Sequence, residues 1–430
     1  MKKKTLVLVG IAVCTMLLTS PVLASAGYSK IYGNANEDDV LDMRDVTYIK
    51  LVIFGKKPAT DFADANYDGK ISMLDVGQTK LIILGKEKKL TLVDQADRTV
   101  TVNMPVERVI CADLLDGITT LVQLGADDKI VGITEGIRKN GYGQLTNPDP
   151  GSWWTPLQIA APGLKDPPTV GTWKVPNLEM MVSLKPDVIF VYCARNLDTP
   201  DRIRDKTGIS TVCLSNLGGS SFANFDNLEI YRLVGWIVGR QNEAEDLISY
   251  IREKLEEITE VTADIPDSDK PRVYMVGWKP YLTRTPLYYG PIDMAGGINV
   301  AEGSEADFIM VDVSKEQIIA LNPDIIVIHR VPTSKSHVWG NSVEEILADP
   351  DLQSINAVKN KRVYYTKGFC AGWDPATGLA ETFYLAKLFH PDKFAYLDVE
   401  KEGNEILERF YGVEGLYTEM AERCEFYRWE

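Results

Sequence analysis

Apolar and polar residues alternate from Thr99 to Met104, the two-residue period of a strand with one buried face. Val109 to Cys111 is continuously apolar and reads as a fully buried strand. The run DGITTLVQLGADDKIVGIT then gives a helix, a glycine stop and a second strand. Two later stretches mirror each other: NLEMMVSLKPDVIFVYCAR, from Asn177 to Arg195, and KEQIIALNPDIIVIHR, from Lys315 to Arg330. In each, a Glu heads a helix, a Pro follows seven residues on, and an Asp opens an apolar strand. The matched residues are Glu179/Pro186/Asp187 and Glu316/Pro323/Asp324. Between them, Asn227 to Asp264 is rich in helix formers and lacks proline, with Gly235 and Gly239 marking a break. The pattern predicts two α/β units of parallel sheet bridged by one long helix. In such sheets a ligand lies beyond the carboxyl ends of the strands, where Arg195 and Arg330 fall.

The segment Gly33 to Gly85 repeats itself with a period of 30 residues: NANEDDVLDMRDVTYIKLVIFG, then DANYDGKISMLDVGQTKLIILG. Oxygen-bearing residues recur at positions 1, 3, 5, 9 and 12 of a twelve-residue loop, with a carbonyl at position 7. That is the spacing Ca²⁺ requires for its six to eight hard oxygen ligands. The first set is Asn34, Asn36, Asp38, the Val40 carbonyl, Asp42 and Asp45. The second is Asp64, Asn66, Asp68, the Lys70 carbonyl, Ser72 and Asp75. Position 12 opens a helix, where negative charge is favoured, and Leu41 or Ile71 pins each loop to the core.

This pair resembles a dockerin, a small all-α, EF-hand-type duplicated calcium module whose partner is a cohesin domain. Asp39 stands where a loop glycine is usual and Asn34 where an aspartate is, so the first site is expected to be the weaker. Met43, Arg44, Met73 and Leu74 depart from the Ser/Thr recognition pattern of the family, which leaves the cohesin partner open. A module with so small a core is expected to couple its folding to calcium.

The chain has 430 residues and a formal net charge of −15, which speaks against a nucleic-acid partner. Lys2, Lys3 and Lys4 precede an apolar stretch and small residues at Ala24 and Ala26, the order of a signal peptide over residues 1–26. The protein is thus expected outside the cytoplasm or on the cell surface. Five cysteines follow, Cys111, Cys193, Cys213, Cys370 and Cys424, at spacings that match no metal motif. The predicted organisation continues with the calcium module over 28–88 and a charged linker, Lys86 to Leu90. An N-terminal lobe spans 90–236, a linking helix 237–264 and a C-terminal lobe 265–430.

The entry DQADRTVTVNMPVERVI, the two Pro-Asp strand units and the single linking helix resemble the binding proteins of iron–siderophore, haem and cobalamin ABC importers. The resemblance spans about Leu90 to Phe394. It implies a bilobal α/β fold, an ABC permease as partner, and one docking acid per lobe, Glu179 and Glu316. Aromatics cluster in Gly/Pro-rich stretches. Trp153, Trp154 and Trp173 form one group, Trp278, Tyr281, Arg284, Tyr288 and Tyr289 a second, and Phe369 and Trp373 a third, joined by Trp339. Aromatic faces and arginines suit a bulky, partly anionic metal complex. The expected cleft residues are Trp153, Trp154, Trp173, Arg195, Trp278, Arg284, Arg330 and Trp373, with His329 as a candidate metal ligand.

No nucleophile elbow, zincin helix, phosphate loop or dinucleotide fingerprint is present, so no enzyme reading is supported. The reading is an exported substrate-binding protein whose cargo is an iron–siderophore-like metal complex, expected to be ferric. A corrinoid receptor of the same class, a surface scaffold without transport, and a tethered surface enzyme stand as alternatives.

Overall fold

A computed structural model describes residues 30–38, 40–113, 115–142, 154–172, 174–192, 198–214, 225, 228–277, 281–301, 310–330, 341–368 and 373–429. The signal-peptide segment, Trp153, Trp173, Arg195, Trp278, Trp339, Phe369, Cys193 and Cys370 lie outside the described residues.

Each half of the repeat is a loop followed by an eleven-residue helix, α1 (Met43–Ile53) and α2 (Met73–Ile83). Both helices start with a capping box. Asp42 and Ser72 are the N-caps, and Asp45 and Asp75 return a bond to the cap backbone. The two loops are backbone copies. The Asp45 carboxylate accepts Asn36 N at 3.1 Å and Asp42 N at 2.8 Å, and Asp75 accepts Asn66 N at 3.1 Å and Ser72 N at 2.7 Å. Val46, Ile49 and Val76 pack with Ala35 and Ala63 between the helices.

The stretch expected to be a linker is structural. Glu87 is buried and strand β1 (Lys89–Val93) already begins at Lys89. β1 forms an antiparallel hairpin with β2 (Thr99–Asn103). The chain entering the repeat adds to that hairpin's other edge: Ile31 bridges Leu92, Tyr32 N donates to Thr91 O at 3.0 Å, and Val93 N donates to Lys30 O at 2.8 Å. Ile31, Leu41 and Ile82 therefore belong to the same apolar cluster as Leu90, Leu92 and Val109. Burying Ile31 fully contributes about 1.5–3 kcal/mol. The repeat is sewn into the lobe by backbone pairing and a shared core.

Two four-stranded parallel sheets follow. The first runs in the order β4 (Ile130–Ile133), β3 (Val109–Ala112), β5 (Val188–Tyr192), β6 (Ser210–Leu214). The second runs β12 (Val363–Thr366), β11 (Ile325–His329), β7 (Arg272–Val276), β9 (Ile298–Asn299). Their central strands are buried on both faces, which is why the sequence reads as unbroken apolar runs. A small antiparallel pair, β8 (Arg284–Pro286) with β10 (Met310–Asp312), flanks the second sheet.

Between β3 and β4 lies helix α3 (Asp116–Gln123), and helix α4 (Leu178–Ser183) leads into β5. Helix α5 (Glu229–Val238) then ends at Gly239, whose φ of 73° is the left-handed C-cap that glycine adopts without strain. Helix α6 (Gln241–Thr262) carries the chain to the second lobe, 22 residues or roughly 33 Å at 1.5 Å per residue. Gly235 lies inside α5, not at a break. A Cβ there would stand 2.9 Å from Ala244 Cβ, so this glycine lets the two helices close on each other. Helix α7 (Lys315–Leu321) precedes β11, and α8 (Pro375–Phe389), α9 (Val399–Tyr411) and α10 (Leu416–Arg423) complete the chain. One apolar cluster runs from β3 through α5 and α6 into α8 and α9, so the lobes share a core rather than meeting at a wet hinge.

Candidate ligand cleft

The Pro-Asp units act alike in the two lobes. Asp187 accepts the amides of Glu107 and Arg108 at the entry to β3, and Asp324 accepts the amide of Arg272 at the entry to β7. Arg108 and Arg272 in turn donate to the last carbonyls of the preceding helices, Leu184 O and Leu321 O. These aspartates register the amino ends of the sheets, which leaves the carboxyl ends for ligand chemistry.

At the carboxyl end of β3 stands Asp113, wholly buried, whose carboxylate accepts Gly117 N. Burial, reinforced by Asp116, raises its pKa to about 8, so the side chain is a neutral acid at neutral pH. At the carboxyl ends of β11 and β12 stand His329, Arg330 and Lys367, all buried. Burial, followed by the charge of Lys367, lowers the His329 pKa to about 3 and keeps the imidazole neutral. Gly368 follows Lys367 with φ 68°, and a Cβ on it would stand 2.3 Å from His329 Nδ1. Beneath them Glu381 of α8 accepts Tyr289 Oη at 2.6 Å, Gly368 N at 3.2 Å and the hydroxyl of Thr366. Burial raises its pKa even so. The first lobe thus offers a hydrogen-bonding acid, and the second offers buried cations over a bonded carboxylate.

Several expected cleft residues are placed otherwise. Trp154 is 1% exposed and packs in the core, a correction to its reading as an open aromatic face. Gly/Pro-rich loops carry no periodicity that tells an inward ring from an outward one. Arg284 turns to Asp312 at 3.3 Å on the small antiparallel pair. Arg330 keeps its place at the strand end, but its guanidinium pairs with Glu425 at 2.5 Å and stacks 4.5 Å over the Tyr365 ring. Trp373 is buried 6.1 Å from Phe225, where the two lobes meet. Glu179 and Glu316 are exposed, each in the first turn of its helix. Cys111, Cys213 and Cys424 are buried.

Asp113, Lys367 and Glu381 were not among the expected residues. Asp113 and Lys367 each follow an apolar strand directly, and Glu381 interrupts an apolar helix, signals that were present in the sequence. Among the described residues, no helix is long and apolar enough to cross a membrane.

Relatives share this plan. The molybdate-binding protein MolA of Haemophilus influenzae is 25% identical over 341 residues, covering 74% of this chain and 90% of that protein. An ABC transporter substrate-binding lipoprotein of Bacillus subtilis, YvrC, is 24% identical over 280 residues, 64% of this chain and 77% of its own. The solved structure of MolA bound to molybdate superposes with a TM-score of 0.58 at 21% identity, covering 75% of this chain and 98% of that one. A periplasmic solute-binding protein of Veillonella parvula gives 0.59 at 21% identity, covering 78% and 96%. These structures share the fold. Residues 115–368 match the family described as periplasmic binding protein, more than half of the sequence, and the chain belongs to that family.

Proposed function

We propose that this substrate-binding protein of an ABC transporter captures an anionic, oxygen-coordinated metal complex of the iron–siderophore kind between its lobes. The observation that supports this cargo is the cationic end of the second sheet, where Lys367 is buried beside a neutral His329. A buried cation favours anionic oxygens. Molybdate itself is the second reading, favoured by the relative that binds it and by the same cationic strand ends. Glu179 and Glu316 are proposed to dock the lobes on an ABC permease, one exposed acid per lobe.

The repeat is proposed to bind Ca²⁺ and to dock a cohesin-domain protein. The donor set fits calcium in kind. All side chains at the ligand positions Asn34, Asn36, Asp38, Asp45, Asp64, Asn66, Asp68 and Asp75 carry oxygen, and Val40 and Lys70 add carbonyls. Among the described residues no three His, Cys, Asp or Glu side chains gather as a metal cluster. The loop carboxylates instead accept loop amides, as Asp75 does from Asn66 and Ser72. Bound calcium would supply charge balance to these loops.

Uptake assays separate cargo binding from delivery. Glu179→Lys and Glu316→Lys should abolish uptake of labelled cargo while its affinity for the purified protein stays unchanged. Loss of affinity in these variants would place the acids in the cleft and defeat the docking assignment.

A further inference from the structure

The two loops of the repeat agree almost atom for atom, so their differences carry information. Asp38 N donates to Asn36 Oδ1 at 3.1 Å, and Asp68 N donates to Asn66 Oδ1 at 3.0 Å. Val40 N and Lys70 N donate to Asp38 and Asp68, each at 2.9 Å. Two of their differences bear most directly on a bound cation.

The first is loop position 1. Asp64 takes two loop amides on its two carboxylate oxygens, Asp68 N at 3.1 Å and Gly69 N at 2.8 Å. Its counterpart Asn34 carries no charge, and its Nδ2 donates to Asp38 O at 2.7 Å. The second is position 11, Arg44 in one loop and Leu74 in the other. The Arg44 guanidinium lies across the carboxylates at positions 5 and 9. Nη1 stands 3.1 Å from Asp38, and Nε stands 3.0 and 3.1 Å from the two oxygens of Asp42. In the second loop, position 9 is the uncharged Ser72, Leu74 is exposed, and among the described residues no ion pair to Asp68 is found. A surface ion pair adds little to stability. Here its consequence is electrostatic: a positive charge occupies the ground on which a divalent ion would draw, beside a ligand set already short of one carboxylate.

Resting on the calcium reading above, we propose that the chain takes one calcium ion, in the loop Asp64 to Asp75. The loop Asn34 to Asp45 keeps its shape without metal, with Arg44 as its built-in counter-ion. The repeat is then one metal site and one arginine-closed copy.

Isothermal titration of the full, chelator-stripped chain with calcium chloride tests this, with far-UV circular dichroism to confirm that each variant is folded. The wild type should take one equivalent. Asp68→Asn should weaken that uptake at least about tenfold, since ligand charge sets affinity in such loops. Arg44→Leu, which copies the second loop, should add a second and weaker equivalent. Two equivalents in the wild type, or no second equivalent in Arg44→Leu, would overturn the proposal. No calcium uptake by any variant would remove the calcium reading itself, a different and recognisable result.

Discussion

Gln123 at the end of α3 donates Nε2 to Asp374 Oδ1 at the head of α8, 2.8 Å away and buried between the two lobes. Tyr231 of α5 donates to Gln123 Oε1 at 2.6 Å, so the bond is held from the interlobe helix as well. Asp374 also caps α8 through the amides of Ala376 and Thr377. Asp374→Ala removes a cap and leaves Gln123 unsatisfied in the core. The expected loss is about 2–4 kcal/mol. Urea unfolding should show a lower midpoint with an unchanged slope.

The repeat is part of the first lobe by virtue of Ile31, which joins the shared core and bridges Leu92. All eight tryptophans lie between Trp153 and Trp429, outside the repeat, so tryptophan fluorescence reports the large domain alone. Ile31→Ser should lower the fluorescence-detected melting temperature by about 3–6 °C, from a loss near 2 kcal/mol. An independently tethered module would leave that temperature unmoved.

Asp113 makes stability depend on pH in a known direction. Its pKa rises from an ordinary aspartate value to about 8 on folding, because burial opposes its charge. Between about pH 4 and 8 the folded chain therefore holds a proton that the unfolded chain has released. Stability from this group is present at the acid end and is lost as pH rises to 8. The wild type minus Asp113→Asn difference should fall across that window, approaching about 1.4 kcal/mol per pH unit at its steepest. Denaturant midpoints at several pH values check it, and a difference that rises with pH would contradict it.

Gly368 leaves room for His329 that a side chain would fill. Gly368→Ala should destabilise by about 2–4 kcal/mol, from the left-handed φ and a Cβ 2.3 Å from the imidazole. Gly412→Ala is the control, with a similar φ of 66° and nothing within 4 Å. It should cost only the backbone strain, about 1 kcal/mol. Thermal melts of the two variants should differ clearly.

Much of this architecture was legible in the chain. Apolar runs opened by Pro-Asp marked both central strands, because those residues do local work at the amino end of the sheet that repeats in each lobe. The duplicated loops were legible for the same reason. What was not legible depends on contacts remote in sequence. Gln123 and Asp374 are 251 residues apart, and neither breaks a local pattern. Lys86 to Leu90 looked like a linker because its charge is local, while the pairing that orders β1 comes from Ile31 and from β2. Trp154 and Arg330 had the right residue types for a cleft, but side-chain direction is set by tertiary neighbours, the core for one and Glu425 with Tyr365 for the other.

The two lobes are proposed to enclose an anionic metal complex against the cationic strand ends of the second sheet. Titrating the purified chain with a ferric catecholate complex, sodium molybdate and cobalamin, with tryptophan fluorescence as the readout, tests it most directly. The account predicts saturable one-to-one binding of an anionic complex that weakens at least about tenfold in Lys367→Met, from loss of a charge-assisted contact. Binding of cobalamin alone, or affinity for the anionic complexes that is indifferent to Lys367→Met, would contradict it.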